Sequence, residues 1–186
     1  MKNRLIIFDC FGVIFSEIAP IFFERHFTKD EAVILKEKFF VPADLGLVTY
    51  DELFENMSEE LHMPKNEILD EWNSLIILNE EIIPVIKKLR EDNDVILLSN
   101  APLGFVEKLF DEYSLTDLFD RMFISCNIGL SKPDEAAYLH CVSQMNRKYD
   151  KIYMIDDNLS NLEHLEKIGI TPIHFRSICS LNELMQ

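Results

Sequence analysis

The 186-residue sequence predicts an α/β fold: a parallel sheet with helices on both faces and a helical segment inserted after the first strand. Three observations predict it. Short, continuously apolar runs recur at Leu5–Phe8, Val95–Leu98, Met122–Ser125, Ile152–Ile155 and, less sharply, Pro172–Phe175, as expected of strands buried on both faces. Apolar stripes at helical spacing separate the later runs, and strand–helix alternation builds a parallel sheet. From Ser16 to about Asn79 no such run occurs, and the pattern is helical.

The first strand, Leu5–Phe8, runs directly into Asp9. A carboxylate at the end of a buried strand is costly to leave unpaired, so a cation and a catalytic task are its candidate roles. Helices are predicted over Glu17–Phe27, Glu31–Phe40, Tyr50–Leu61 and Lys65–Trp72. Thr28 with Glu31, and Thr49 with Glu52, have capping-box spacing. Leu53, Phe54, Met57 and Leu61 form one apolar face, read as the core of a small bundle, and Pro42 and Gly46 predict a bend. The chain thus divides into a sheet domain of residues 1–15 and 81–186 and a helical insert of residues 16–80. Downstream, Ile82, Ile83, Ile86 and Leu89 predict one helix, and Ala137, Tyr138, Cys141, Val142 and Met145 another. Leu159, Leu162, Leu165 and Ile168 predict a last helix, ended by Gly169. Ser177–Gln186 reads as a short surface helix or loop.

Composition bounds the function. The net charge of −15 argues against nucleic acid as a partner. It leaves a small phosphorylated substrate open, because one local cation outweighs the global field at short range. No apolar run approaches the ~20 residues of a membrane span, and the N-terminal run is too short for a secretory signal; a cytoplasmic protein, monomeric or homodimeric, is expected. Cys10, Cys126, Cys141 and Cys179 are scattered as reduced thiols should be, with Cys10 packed as a small hydrophobe. The five histidines show no zinc spacing.

In open parallel sheets, ligands bind beyond the carboxyl ends of the strands. Asp9 follows the first strand, Ser99 and Asn100 the second, Lys132 lies in the loop beyond the third, and Asp156 and Asp157 follow the fourth. A lone lysine before proline is usually exposed and a lone D-D-N usually a helix cap; the set, each member at a strand end, is the signal. The converging acids would repel one another, which a divalent cation relieves, and an all-oxygen site suits Mg²⁺. Ser99 and backbone N–H groups can hold an anionic oxygen, and Lys132 supplies a point charge for the same anion. Asp9 is then free to act as a nucleophile.

The motifs F-D-x-x-G-V (Phe8–Val13), L-L-S-N (Leu97–Asn100), S-K-P (Ser131–Pro133) and D-D-N-x-x-N (Asp156–Asn161) resemble those of the haloacid dehalogenase superfamily of hydrolases, mostly phosphatases. The resemblance covers essentially the whole chain and is nearest to the branch of sugar-phosphate phosphatases and epoxide hydrolase N-terminal domains. It implies a three-layer Rossmann-like sheet of strand order 5-4-1-2-3, with the insert as a helical cap. It further implies Asp9 as the nucleophile that takes the phosphoryl group, and Mg²⁺ held by Asp9, the Phe11 carbonyl, Asp156 and Asp157, the last directly or through water. Ser99 and Asn100 would bind phosphoryl oxygens, Lys132 would neutralise charge and orient Asp9, and Asn161 would steady the acidic loop or the lysine.

One position departs from the family pattern. Most of these phosphatases have a second Asp two residues after the nucleophile, which protonates the leaving oxygen; here that residue is Phe11. General acid–base catalysis is typically worth about 10²–10⁴-fold. Three readings follow: a phosphatase whose leaving group needs little help or whose acid comes from elsewhere, a 2-haloacid dehalogenase, or a weakened member that binds a phosphorylated ligand or a protein. The family's dehalogenases carry an aromatic residue at this position, release halide without protonation and work without metal.

Overall fold

The computed structural model describes residues 3–185. The chain begins with strand β1 (Arg4–Phe8). Four helices follow: α1 (Ala19–His26), α2 (Lys29–Asp44), α3 (Tyr50–Leu61) and α4 (Lys65–Ser74). It then alternates through α5 (Ile82–Asp92), β2 (Asp94–Ser99), α6 (Phe105–Glu112), β3 (Arg121–Ile124), α7 (Ser125–Ile128), α8 (Glu135–Gln144), β4 (Lys151–Asp156) and β5 (Ile170–His174). The sheet is parallel throughout and ordered β3-β2-β1-β4-β5, the order the motifs imply.

The period of two along each strand sorts side chains into two layers. Leu5, Ile7, Ile96, Leu98 and Met154 pack on Ala137, Tyr138 and Cys141 of α8. Ile6, Phe8, Val95, Leu97 and Ile155 face the other way, into a core continuous with that of the inserted helices. Strand β1 lies at the centre with Leu5 to Phe8 fully buried, which holds the following Asp9 in the middle of the sheet's carboxyl edge.

The four-helix insert has its own aromatic centre. Trp72 stacks on Phe40 at 5.1 Å between ring centroids, with Phe54 at 5.5 Å and Phe22 at 5.8 Å. Burying each such side chain contributes about 1.5–3 kcal/mol. Both capping boxes form. The two passages between sheet and insert are tied side by side: Ser16 N–H donates to Ile77 O, Asn79 N–H to Ile14 O, and the Asn79 amide to Val13 O.

Three local expectations are corrected. Helix α2 runs through Pro42 to Asp44 instead of bending after Phe40. Proline inside a helix costs about 3 kcal/mol; here Phe39, Phe40 and Ala43 are buried around it, and packing outweighs propensity. The helix predicted over Leu159–Ile168 is two separate 3-10 turns, Leu159–Asn161 and Leu165–Ile168, split by His164 in the left-handed region at φ 65°. Side chains at the end of β4 capture the backbone that the helix would have used. Finally, the C-terminal stretch is no surface appendage, since Leu181 and Leu184 are buried.

Candidate active site

Among the described residues the buried polar side chains are Asp9, Asn93, Ser99, Ser125, Lys132 and Asp156. All but Asn93 lie at or beyond the carboxyl ends of strands. Asp9 leaves β1 with its N–H bound to Ile155 O of β4, while Cys10 N–H donates back to Asp9 Oδ1 at 2.6 Å. β1 and β4 are paired neighbours, so Asp156 at the end of β4 is brought beside Asp9.

Lys132 bridges the two acids. Its Nζ lies 2.7 Å from Asp9 Oδ1 and 2.6 Å from Asp156 Oδ2, and its side chain is 1% exposed. Asn100 holds the lysine's backbone from both sides, accepting from Lys132 N at 2.9 Å and donating to Lys132 O at 2.8 Å. Asn161 donates to both Asp156 oxygens at 3.1 and 3.0 Å, and Asn158 N–H donates to Asp156 Oδ1 at 2.9 Å. The carboxylate of Asp156 is thereby fixed from three directions. These bonds and the Asn158 side chain, which accepts from Ser160 N, replace the expected helix.

One ammonium cannot neutralise two buried carboxylates. Burial first, and then the Asp156 charge, hold the Asp9 carboxyl well above the usual range against the opposing pull of Lys132. For Lys132 burial works against the charge, but Asp9 and Asp156 outweigh it and keep the ammonium on. Asp157 is pushed up to about 6 by burial, then by Glu17 and Asp156.

Asp9, Asp156 and Asp157 each place a carboxylate oxygen within 4.8 Å of the others. Asp157 Oδ1 is buried with no hydrogen-bond partner among the described residues. Gly12, at φ +81°, passes so close that a Cβ there would lie 2.1 Å from Asp157 Cγ. The chain turns tightly through residues 10–15, with Ile14 N–H bound to Cys10 O and Gly12 N–H to Phe15 O, and the Phe11 carbonyl accepts none of the bonds of this turn. A bare buried oxygen, a hard-oxygen donor set and a cradle only glycine permits fit a small divalent cation.

A cavity of about 400 Å³ adjoins the cluster. Asp9, Phe11, Asn100, Lys132 and Asn161 line it from the sheet, and Ile18, Phe40, Val41, Asp44 and Trp72 from the insert. The ring of Phe11 stacks on that of Phe105, another residue lining the cavity, at 5.6 Å, and Phe105 stacks in turn on Tyr50 at 5.1 Å.

The structure therefore brings together Asp9, Lys132, Asn100, Asn161, Asp156 and Asp157. Ser99 stands apart: it is fully buried behind the cavity wall, its hydroxyl beside the Cys10 thiol and 3.5 Å from Asn100 O. Sequence reasoning missed Ser125, whose hydroxyl accepts from Ala101 N at 3.1 Å, and His174, whose Nε2 lies 2.9 Å from Asp157 O. His174 sits in register with Asp156 across β4 and β5, a strand-end position that could have marked it. Glu17 and Asp44 also line the cavity, and no motif points to them.

Comparison with known proteins bears on the fold and the family. The family described as haloacid dehalogenase-like hydrolase matches residues 3–169. The sesquiterpene phosphatase astK of Aspergillus oryzae is 24% identical over 98% of this chain and 95% of its own. A solved haloacid dehalogenase family enzyme of Bacteroides thetaiotaomicron superposes over 100% of both chains with a TM-score of 0.81 at 18% identity. Its complex with magnesium and inorganic phosphate matches 92% of this chain and 93% of its own, with a TM-score of 0.73 at 22% identity. The L-2-haloacid dehalogenase of Xanthobacter autotrophicus shares the fold less closely, with a TM-score of 0.65 at 15% identity over 98% of this chain and 82% of its own. The chain belongs to the haloacid dehalogenase-like hydrolases.

Proposed function

We propose that the protein is a Mg²⁺-dependent phosphatase acting on a small phosphomonoester with an apolar organic group. The observation that carries this reading is the three-carboxylate cluster bridged by Lys132 at the edge of a largely apolar cavity. Asp9 attacks phosphorus, the bond to the leaving oxygen breaks, and water later cleaves the aspartyl-phosphate to regenerate the carboxylate. Lys132 and Asn100 face the phosphoryl oxygens, and Lys132 pulls the Asp9 carboxyl toward its ionised form. Ser99 supports that wall from behind, and Asn161 steadies Asp156. Asp9, the Phe11 carbonyl, Asp156 and Asp157 would hold Mg²⁺, which supplies charge neutralisation at the phosphoryl group. Residues 16–80 act as a cap that excludes water and selects substrate.

Two findings support an apolar body over a sugar. The cavity is lined by Phe11, Phe40, Phe105, Trp72, Ile18 and Val41 among its polar residues, and apolar surface predominates over polar. The Aspergillus oryzae relative is named a sesquiterpene phosphatase. Phe11 then has a positive role, extending the apolar wall at the position where most of the family carries an acid.

A release assay decides among the readings. Phosphate release from apolar phosphomonoesters in Mg²⁺, lost in EDTA, is expected. Halide release from a 2-haloacid that survives EDTA would turn the assignment to dehalogenation, which the aromatic residue at Phe11 otherwise favours. Tight binding of a phosphate analogue without turnover on any panel member would leave a binding protein.

Stability should depend on pH and metal together. Asp9 and Asp157 have folded-state pKa values raised above the unfolded carboxylate value, so the fold prefers them protonated. The stability they contribute at low pH is lost as pH rises from about 4 through their folded values, near 6 for Asp157. Without metal the thermal midpoint should fall as pH rises from about 4 past 6, and Mg²⁺ should restore it above that range far more than below it. A Mg²⁺ effect equal at both ends, read by scanning calorimetry, would remove these carboxylates from the metal site.

A further inference from the structure

With phenylalanine at position 11, the sheet offers no proton donor there for the leaving oxygen. The insert does. The cavity-lining residues of the insert that can carry a proton are Glu17, Glu24, Lys36, Glu37 and Asp44. Glu24 and Glu37 are exposed. Glu17 belongs to the acidic end of the site, where its charge bears on Asp157. Asp44 differs from all of these. It is the last residue of α2, and its Oδ1 is buried with no hydrogen-bond partner among the described residues.

Its placement is enforced from both sides. Helix α2 packs on α3 and also reaches across to α7 of the sheet domain. Just beyond Asp44 the backbone turns through Gly46 at φ +72°, so close to α7 that a Cβ there would lie 2.9 Å from Cys126 O. That contact docks the end of α2 onto the sheet domain and leaves Asp44 lining the cavity that Asp9, Phe11 and Lys132 also line.

We propose that Asp44, supplied by the helical insert, is the general acid that takes the place of the acid missing at Phe11. The assignment rests on the phosphatase reading above. As Asp9 forms its bond to phosphorus and the bond to the leaving oxygen breaks, that oxygen takes its electron pair together with the Asp44 proton and departs as an alcohol. The Asp44 carboxylate then accepts a proton from the water that attacks the aspartyl-phosphate, which releases inorganic phosphate and restores both acids.

The surroundings of Asp44 suit the role. Burial pushes its carboxyl up to about 7, against the pull of Lys36 on its own helix and Lys132 from the sheet domain. A proton donor works best when its pKa lies near the working pH. The facing group on α7 is Cys126, whose thiol is raised by burial, then by Glu107 and Asp44, and so stays neutral.

The test compares Asp44→Asn with the wild type on a long-chain alkyl phosphate and on 4-nitrophenyl phosphate, whose leaving group needs no proton. Asp44→Asn should lower kcat/KM about 10²–10⁴-fold on the alkyl ester and no more than about threefold on the aryl ester, and should remove the high-pH decline of the alkyl profile. Equal losses on both esters, or none on either, would overturn the role of Asp44 while leaving the phosphatase reading intact. A wild type that releases phosphate from neither ester overturns both. Should Asp44→Asn fail to fold, carboxyl ¹³C titration of the wild type decides: a midpoint near neutrality is expected, and one in the ordinary carboxylate range overturns the assignment.

Discussion

Replacing Asp9 by Asn should abolish phosphate release and at the same time make the protein harder to unfold. On the proposed mechanism the first effect is the loss of the nucleophile, on the order of 10⁴–10⁶-fold in kcat by analogy with other covalent mechanisms. The second follows from the electrostatics of the site. Asp9 and Asp156 are both buried and share a single ammonium, and Asp9 carries a pKa held well above its ordinary value by burial and by Asp156. The fold is therefore working against the charge that the chemistry uses. An amide of the same shape keeps the oxygen that Cys10 N–H donates to and leaves Lys132 to pair with Asp156 alone. A gain of about 1 kcal/mol raises the thermal midpoint of a chain this size by about 2–4 °C. Activity and stability moving in opposite directions is the expected signature of a strained functional carboxylate. Retained turnover in the variant would remove Asp9 as nucleophile, and a lowered midpoint would show that its charge is fully compensated.

The sheet was legible because a strand buried on both faces has one simple signature. Leu5–Phe8 and Ile152–Ile155 show uninterrupted apolar runs, and each pointed to a polar residue at its carboxyl end. The capping boxes at Thr28 and Thr49 were legible for the same reason: the chemistry is local. What failed was non-local. The apolar stripe Leu159, Leu162, Leu165, Ile168 has helical spacing, yet Asp156 draws Asn158 and Asn161 into its own hydrogen bonds and the helix gives way to two tight turns. Local propensity lost to a functional carboxylate that needed partners, the kind of site where pattern and structure are expected to part.

The site divides in the same way. Asp9, Asp156 and Asp157 sit at the ends of the neighbouring strands β1 and β4, and strand order brings them together. Lys132 was expected to orient Asp9; its equal hold on Asp156 depends on a loop conformation fixed by Asn100, which no spacing encodes. Glu17 and Asp44 reach the cavity only because the insert folds back over the sheet, and helical inserts carry no motif for what they contact. The sequence isolated Phe11 as the anomaly. The structure stacks Phe105 and Tyr50 behind it and places in the same cavity Asp44, whose Oδ1 has no hydrogen-bond partner among the described residues.

Lys132→Met should be the most destabilising single change at the site. The lysine is nearly inaccessible and touches two carboxylates. Methionine preserves the apolar stem and removes only the charge, leaving Asp9 and Asp156 facing each other with no cation between them. Breaking a buried ion pair from one side costs about 3–5 kcal/mol, equivalent to a fall in thermal midpoint of about 10 °C or more without metal. The folded-state pKa of Lys132 is raised, so its contribution is fully present below the unfolded lysine value and is lost only as pH rises through the folded one; the deficit should be undiminished at neutral pH. Two additions should shrink it. Mg²⁺ can replace part of the missing positive charge, and Asp9→Asn combined with Lys132→Met removes one of the two stranded carboxylates. The double variant should therefore be more stable than Lys132→Met alone, with a coupling energy of about 1–3 kcal/mol in the cycle. If Lys132→Met unfolds within about 1 kcal/mol of the wild type, or the cycle shows no coupling, the bridging lysine does not hold the acids together. They would then be kept in place by the backbone and by Asn161, with Lys132 left to act on the substrate alone.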